Sequence, residues 1–351
     1  MQEQPRPTLA IGPANYAQQA TAWAQAVREH LPADAWSFMQ TPARGSFQFT
    51  ADRFIPPVLF RNPVARGLRS RRLFRGVTHV ALDGFEPYFH LRRRGKFAGD
   101  LRWLRNHGYR PAIIAHGTDV RDPERHIEVN GEWSLFLAGS AEWRADLVRS
   151  TRLHRAIAEA SGASVFFSTP DLGLDLPFGT WLPVCLDVAA WASDQPVLQR
   201  PVPRVLHIPS KRNPPVKGTQ FIAPVLEKLH AQGRIEFISP SGIPHAEMQR
   251  LVKDCDVVVD QLLAGSYGVA TIEAMAAGRV VVGRIAPPVM ALLPEQPPMG
   301  LCAPDQLESL MENILDDRDV WAAKAAQGPA YTRRWHDGRA SAEALRPYLG
   351  L

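Results

Sequence analysis

Apolar and polar positions along the chain follow a strand, turn and helix order that recurs in both halves. Short apolar runs at residues 8–12, 77–84 and 256–260 predict buried strands, and amphipathic segments of about 10–15 residues separate such runs. The residues that share one face of the first predicted helix are Ala20, Trp23, Ala24, Val27 and Leu31. Apolar strands separated by helices predict parallel sheets covered on both faces, an α/β fold.

A proline-rich segment of weak periodicity, residues 186–203, separates two series of strands and helices. The chain has 351 residues, more than the roughly 250–300 residues at which single cores stop growing. We therefore predict two Rossmann-like domains, the first at residues 1–190 and the second at residues 191–330.

The composition is that of an ordinary globular protein, with 45% hydrophobic and 21% charged residues. No apolar run approaches the roughly 18–20 residues of a membrane-spanning helix, and the first residues lack the pattern of a secretory signal. Cys185, Cys255 and Cys302 are widely spaced and odd in number, which suits a reducing compartment. We expect a soluble, cytoplasmic protein.

Positive charge is concentrated between Arg61 and Lys96, where ten Arg or Lys and two acidic residues give a local net charge of +8; the whole chain has +5. Such a segment either forms a solvated surface or attracts phosphates. No aromatic-interleaved basic motif or recognition helix accompanies it, so we expect no nucleic-acid partner.

Several motifs of known chemistry are absent from the sequence. It has no G-x-G-x-x-G after the first strand, no phosphate-binding G-x-x-x-x-G-K-[ST], no G-x-S-x-G and no H-E-x-x-H. Two D-x-D triplets occur, at residues 254–256 and 317–319, but both fall at helix ends, and we expect no metal role for them.

Polar segments follow four predicted strands: HGTDVR (116–121), SKRNPPVKGT (210–219), PSGIPH (240–245) and GSYGVATIEAMAAG (265–278). Ligands of parallel sheets bind beyond the carboxyl ends of the strands, where helix N-termini offer N–H groups to anions. Arg212 and Lys217 add positive charge, and Gly265 and Gly268 allow the backbone to approach a ligand. These features predict a diphosphate site.

Glu273 lies about one and a half helical turns after Gly268, in a segment that is otherwise apolar. A buried carboxylate needs hydrogen-bond donors. Two vicinal ribose hydroxyls would serve, as would a neighbouring arginine or a backbone group.

The sequence KGT at residues 217–219, followed by DVVVDQ and GSYGVATIEAMAAGRVVVG at residues 256–283, resembles the carboxyl domain of family-4 glycosyltransferases. These enzymes retain anomeric configuration, use nucleotide sugars and have the GT-B architecture. The matching segments of the N-terminal half are IGPANYAQQ (11–19), VALDGFEP (80–87), AHGTDVR (115–121) and TWLPVCLD (180–187). The resemblance implies two Rossmann-like domains facing across a cleft, with the acceptor on the N-terminal side. It also implies that the last segment, residues 331–351, returns to the N-terminal domain.

The resemblance assigns roles to individual residues. Glu273 matches the glutamate that holds the nucleotide ribose, and Gly265 stands where a glutamate that contacts the donor sugar is usual. Arg212 and Lys217 match the phosphate-binding pair, and His116 matches a histidine that approaches the reacting centre. We therefore expect His116, Arg212 and Lys217 to be catalytic. The remaining residues expected to bind nucleotide or donor are Gly12, Lys211, Gly218, Ile243, Gly265, Ser266, Tyr267, Gly268 and Glu273.

The expected function is transfer of a sugar, with retention, from a UDP-linked donor to an acceptor hydroxyl, in bacterial surface polysaccharide or glycolipid synthesis. The nucleotide sugar is a co-substrate, and no metal or other cofactor is required. The basic residues 61–96 would place the enzyme peripherally at the inner membrane face. A non-catalytic nucleotide-sugar-binding partner, and an epimerase or hydrolase on the same scaffold, are the alternatives.

Overall fold

The computed structural model describes residues 6–40, 50–55, 70–88, 97–210, 216–240, 242 and 244–351. In these residues a first parallel sheet has seven strands in the order β3-β2-β1-β4-β5-β6-β7. Its strands are β1 (Thr8–Pro13), β2 (Asp34–Gln40), β3 (Arg53–Ile55), β4 (His79–Asp83), β5 (Arg110–Ala115), β6 (Ser164–Phe167) and β7 (Thr180–Trp181).

A second parallel sheet has five strands within the described ranges, in the order β12-β11-β10-β8-β9. Its strands are β8 (Arg204–Leu206), β9 (Glu236–Ile238), β10 (Val257–Val259), β11 (Val280–Gly283) and β12 (Gly300–Leu301). The central strand β10 consists of three buried valines, as a strand covered on both faces requires.

Helices connect the strands of both sheets. In the first half they are α1 (Gln19–His30), α2 (Phe97–Asn106), α3 (Pro123–Asn130), α4 (Ala141–Ala160) and α5 (Val188–Trp191). In the second half they are α6 (Thr219–Ala231), α7 (His245–Asp254), α8 (Val269–Ala276), α9 (Pro287–Met290), α10 (Leu307–Asp316), α11 (Arg318–Ala325), α12 (Gly328–Trp335) and α13 (Arg339–Leu349). No helix in the described part of the chain has the length and apolarity needed to cross a lipid bilayer.

Alternate residues of β1 face two separate cores of the first sheet. Leu9 and Ile11 pack with Trp23 of α1 and Leu345 of α13, whereas Ala10 packs on the other side with Phe38. This two-residue period is the geometry of a strand buried on both faces. The final helix α13 therefore packs on the first sheet, as predicted.

The chain packs as two compact units that are not contiguous in sequence. The first unit comprises residues 1–121, 149–185 and 338–351, and the second comprises residues 122–148 and 186–337. The prediction assigns all of residues 1–190 to the first domain, with residues 331–351 returning to it, whereas residues 122–148 pack with the second unit. They do so because Leu135 and Phe136 bury their side chains against Leu263 and Ala264 of the second unit. The predicted class, α/β with two Rossmann-like domains, is confirmed.

Candidate functional site

At the carboxyl edge of the second sheet, one buried carboxylate joins the beginnings of two helices. Lys217, just before α6, places its Nζ 2.8 Å from Oδ1 of Asp260, which follows β10. The hydroxyl of Thr271, in the first turn of α8, donates to the other oxygen of Asp260 at 2.8 Å. The predicted phosphate-binding lysine is therefore held in place by a residue that the sequence motifs did not single out.

The pKa of Asp260 follows from these contacts. Its side chain is 2% exposed, and burial alone would raise the pKa. The Lys217 ammonium and the Thr271 hydroxyl stabilise the charged form and together outweigh burial, so the pKa of Asp260 lies below its usual value. Asp260 is thus an anion at neutral pH, and the Lys217 side chain beside it is 19% exposed.

The start of α6 is fixed by a neutral histidine. His207, at the end of β8, is fully buried, and its Nδ1 lies 2.8 Å from the carbonyl oxygen of Val259. Because a carbonyl only accepts, Nδ1 carries the proton and Nε2 accepts from the hydroxyl of Thr219, 2.9 Å away. Burial lowers the pKa of His207, which agrees with this neutral form.

Gly218 is the residue directly before α6 and allows the chain to turn into the helix. Its φ of +86° is left-handed, and an added Cβ would lie 3.1 Å from Cγ of Leu263. The helix begins directly after it, so its first N–H groups point out of the same edge that carries Lys217. A helix N-terminus of this kind can bind an anion.

Gly265 is a site of close packing as well as of flexibility. Its φ is +63°, and an added Cβ would lie 2.1 Å from Oδ1 of Asn130. Asn130 is buried, donates to the carbonyl of His126 at 3.0 Å, and accepts at 2.6 Å from Nη1 of Arg284. A side-chain amide from the first half of the sequence thus takes the space in which a residue 265 side chain would begin.

The segment that carries Asn130 is anchored on the loop between β10 and α8. Nδ1 of His126 shares a hydrogen bond with the Ser134 hydroxyl at 2.7 Å. Its Nε2 lies 3.1 Å from the carbonyl oxygen of Ala264. The backbone N–H of Leu135 donates to the carbonyl of Leu263 at 3.1 Å. Because the Ala264 oxygen only accepts, Nε2 of His126 carries a proton.

Ser266, Tyr267 and Gly268 form the end of this loop. The Ser266 side chain is 2% exposed, and no described residue hydrogen-bonds to its Oγ. The Tyr267 hydroxyl instead points into the second unit, 3.1 Å from the Tyr331 hydroxyl and 3.3 Å from Nε2 of His336. At the sheet edge Tyr267 therefore presents its backbone groups, and its side chain packs inside the second unit.

Helix α8 begins after Gly268, and Glu273 is its fifth residue. The Glu273 side chain is 9% exposed, as its apolar surroundings in the sequence predicted. An added Cβ at Gly268 would meet nothing closer than 3.5 Å, so here the absence of a side chain leaves space at the helix N-terminus. Lys211, Arg212 and Ile243 lie outside the described residues.

The first D-x-D triplet has a structural role. Asp256 is fully buried and accepts the backbone N–H groups of Leu198 at 2.7 Å and Arg204 at 2.8 Å. Asp254 pairs with Arg200 and Arg204. These carboxylates fasten the segment before β8 to the start of β10, at the opposite edge from Lys217.

His116 lies at the end of β5 in the first unit, with its ring stacked on Trp23 at a centroid distance of 5.8 Å and edge-on to Tyr16 at 5.2 Å. The Ser168 hydroxyl donates to the carbonyl of Ala115 at 3.4 Å, so it accepts from Nδ1–H of His116 at 3.1 Å. Nε2 then carries a lone pair, and no described residue hydrogen-bonds to it. Burial lowers the pKa of His116 to about 4, so the imidazole is neutral.

Two carboxylates with raised pKa values lie at the same edge of the first sheet. Asp119 accepts the backbone N–H of His116 at 3.1 Å, and burial raises its pKa to about 7. Asp83, at the end of β4, accepts the N–H groups of Ala14 at 2.8 Å and Asn15 at 2.6 Å. Burial outweighs these bonds and raises the pKa of Asp83 to about 7 as well.

Gly12 is the second-last residue of β1, just before the chain turns towards α1. An added Cβ would lie 2.1 Å from the carbonyl oxygen of Phe38 in β2, so the close approach of the two strands requires glycine. This packing requirement accounts for Gly12 without a ligand. Its predicted role at the donor remains a prediction.

The fold and these polar sheet edges define the class of architecture, two Rossmann-like domains of the GT-B type. Sucrose-phosphate synthase from Thermosynechococcus elongatus is similar at a TM-score of 0.60 and 15% identity, over 98% of each chain. Anabaena HepE, solved in complex with UDP, is similar at a TM-score of 0.61 and 13% identity, over 98% of this chain and 99% of that one. UDP-GlcNAc 2-epimerase from Neisseria meningitidis, bound to UDP-GlcNAc, is similar at a TM-score of 0.53 and 10% identity, over 99% of this chain and 100% of that one.

The sequence matches no protein-family profile and no curated protein. At 10–15% identity the structural likeness establishes the fold. It leaves the activity to be argued from the residues at the sheet edges.

Proposed function

We propose that the protein is a retaining glycosyltransferase that uses a UDP-linked sugar and transfers it to an acceptor hydroxyl. The observation that carries this proposal is the edge of the second sheet, where the helix starts after Gly218 and Gly268 flank the Lys217–Asp260 pair. Glu273 lies in the helix that follows the loop after β10, and this loop contains the Ser266 hydroxyl, to which no described residue hydrogen-bonds. The fold shared with HepE, whose structure holds UDP, supports the choice of nucleotide.

In this reaction the bond between the anomeric carbon and the diphosphate oxygen breaks, and a bond from the acceptor oxygen to the same carbon forms. The acceptor proton passes to the departing diphosphate. Negative charge grows on the diphosphate, and Lys217 together with the N–H groups that open α6 and α8 would stabilise it. Arg212 would add a second cation, and Glu273 would bind the ribose hydroxyls.

His116 would contribute as a neutral hydrogen-bond acceptor. Its pKa of about 4 and its Nδ1–H bond to Ser168 leave a lone pair on Nε2. We propose that a sugar hydroxyl donates to this lone pair. A residue acting in this way needs no proton of its own, which suits a reaction whose proton moves to the leaving group.

The test is a thermal-shift screen with UDP, GDP, ADP and CMP, followed by incubation of the protein with the common sugar conjugates of the nucleotide that stabilises it most. A nucleotide at a hundred times its Kd adds about 2.7 kcal/mol of stability, which a melting curve resolves. We expect UDP to raise Tm and a UDP-sugar to release UDP slowly in water, with the α-anomer of the sugar formed first from an α-linked donor. No stabilisation by any nucleotide would refute the proposal.

An epimerase is a second candidate, favoured by two carboxylates at the sheet edge that carries His116. Asp83 and Asp119 have pKa values of about 7, the range in which a carboxyl group exchanges protons at neutral pH. Proton NMR of UDP-GlcNAc with the protein, without an acceptor, separates the two. Conversion to a second UDP-sugar in which the link to UDP is intact would indicate epimerisation, and release of UDP would indicate transfer to water.

We further propose that the enzyme works in the cytoplasm, at the inner membrane face, on a glycolipid or polysaccharide acceptor. The basic residues 61–96 motivate this, although residues 61–69 and 89–96 lie outside the described ranges. Co-sedimentation with vesicles that contain anionic lipid is expected to exceed co-sedimentation with neutral vesicles. Equal recovery with both kinds of vesicle would remove the membrane proposal.

A further inference from the structure

Arg284 lies at the end of β11, alongside the loop that leads to α8. Its backbone N–H donates to the carbonyl of Gln261 at 3.1 Å, and the N–H of Ala286 donates to the carbonyl of Gly265 at 3.0 Å. The segment after β11 therefore runs beside residues 261–265. This places the Arg284 side chain at the same sheet edge as the site assigned to the donor.

The guanidinium of Arg284 makes both of its hydrogen bonds to one residue. Nη1 donates to Oδ1 of Asn130 at 2.6 Å, and Nη2 donates to the Asn130 carbonyl at 3.4 Å. In the described ranges no carboxylate lies within ion-pair distance of it. Burial lowers the pKa of Arg284, but a guanidinium stays protonated in proteins. A half-buried positive charge is thus left with neutral partners only.

Arg279, which directly precedes β11, shows the contrast. It is 3% exposed, and its guanidinium donates to three carbonyls, those of Ala277, Cys255 and Gln195. Each of its three nitrogens has a partner, so Arg279 is a structural arginine. Arg284 has more exposed surface, and its Nε has no partner among the described residues.

Gly265 is part of the same arrangement. An acidic side chain at position 265 would begin beside Oδ1 of Asn130 and so lie within reach of the Arg284 guanidinium. The sequence has glycine there instead, and the positive charge is not neutralised from the loop. Because residue 265 is glycine and not an acid, the positive charge of Arg284 is retained at the carboxyl edge of the second sheet.

The geometry points to Arg284 as an anion-binding residue of the donor site, which receives either a β-phosphate oxygen or a carboxylate on the donor sugar. This inference rests on the proposed function. Lys217 contacts Asp260, which directly follows β10, and Arg284 directly follows β11, the neighbouring strand about 4.8 Å away. An anionic group next to a diphosphate held at Lys217 can span that distance. The planar fork of arginine recognises phosphate and carboxylate in the same two-pronged way.

The test is calorimetric titration of wild-type protein and Arg284→Gln with UDP, UDP-glucose and UDP-glucuronate. Arg234→Gln is the matched control, because Arg234 precedes β9 at the opposite sheet edge and pairs with Glu312 and Asp316. If Arg284 contacts the phosphate, Arg284→Gln weakens all three ligands by about tenfold. If it contacts a sugar carboxylate, the wild type binds UDP-glucuronate more tightly than UDP-glucose. Arg284→Gln then loses this preference and binds UDP and UDP-glucose as the wild type does. If Arg284→Gln binds all three ligands as tightly as the wild type does, the inference is overturned and the proposed function stands. If the wild type binds none of the three, both are overturned.

Asn130→Asp tests the same point with Arg284 retained. The new carboxylate would lie where Oδ1 now accepts from Nη1 and would neutralise the guanidinium. We expect Tm to fall, because the amide that donates to the carbonyl of His126 is lost. The affinity of the folded variant for the anionic ligand should fall by about tenfold, as in Arg284→Gln. Affinity equal to that of the wild type, in a folded Asn130→Asp protein, would contradict the role of Arg284.

Discussion

The side-chain oxygen of Asn130 lies 2.1 Å from the point at which a Cβ of residue 265 would be placed. Residues 130 and 265 are far apart in sequence, and each is explained by the other. Asn130 can lie against the loop because residue 265 is glycine, and it is held there by Arg284 at 2.6 Å. Gly265 thus has a packing role that the comparison of motifs alone does not show.

Gly265→Ala is expected to destabilise the protein by about 3 kcal/mol or more, because it adds a clash to the cost of a left-handed alanine. Gly233→Ala is the matched control. Gly233 has a φ of +71° and nothing within 4 Å of its Cβ position, so it should cost only about 1 kcal/mol. Urea unfolding measures both, and equal losses would mean that Asn130 yields without cost. Adding Asn130→Ala to Gly265→Ala should recover only part of the difference, because it removes the clash but also the hydrogen bonds of Asn130 to His126 and Arg284.

Asp260→Asn is expected to lower the free energy of unfolding by about 2 kcal/mol. The reason is that the Lys217 side chain, which is only 19% exposed, loses its charged partner. UDP affinity should fall as well, since the ammonium is no longer positioned. The double variant Lys217→Met/Asp260→Leu removes both charges and should recover stability without recovering UDP binding. Denaturant unfolding and calorimetry on the same samples separate the two effects. Full UDP affinity in the double variant would show that the pair is only structural.

Tyr267→Phe should cost about 1 kcal/mol of stability and leave UDP affinity unchanged, because the hydroxyl contacts Tyr331 and His336. Tyr331→Phe should have a similar effect, since it removes the same hydroxyl pair. A large loss of UDP binding in Tyr267→Phe, at unchanged Tm, would restore Tyr267 to the ligand-binding residues expected from the sequence.

The stability contributed by Asp83 should fall as pH rises. Its folded-state pKa of about 7 is above the unfolded value near 4, so the folded state holds one more proton between these limits. Asp83→Asn removes one acceptor for the N–H groups of Ala14 and Asn15 and is destabilised throughout. Its deficit relative to the wild type should shrink between pH 4.5 and 7, by up to about 1.4 kcal/mol per pH unit. A deficit that stays constant or grows over this range would show that Asp83 is ionised throughout.

The periodic apolar segments predicted the architecture well. The buried valines of β10 and the helix that contains Glu273 lie where the periodicity predicts them. Helix α13 packs on the first sheet, as the family resemblance implies. Strong local periodicity and glycine at helix ends determine such elements. The α/β class followed from them.

The partners within the site could not be read from the sequence. Asp260 is separated by more than forty residues from Lys217, and Asn130 by more than a hundred from Arg284. Such pairs form only when strands 8, 10 and 11 are brought together, and no local pattern encodes them. The packing of residues 122–148 with the second unit was missed for the same reason.

Calorimetric titration with UDP tests the central claim most directly, that the loop and helix containing Glu273 bind a uridine nucleotide. Three proteins are compared: the wild type, Glu273→Ala, and Glu308→Ala as a control. Glu308 pairs with Lys228 on an exposed helix surface. The account predicts that the wild type and Glu308→Ala bind UDP alike and that Glu273→Ala binds at least about tenfold more weakly, because the ribose hydroxyls lose their acceptor. A wild type that does not bind UDP, or a Glu273→Ala protein that binds it as tightly as the wild type, would contradict the account.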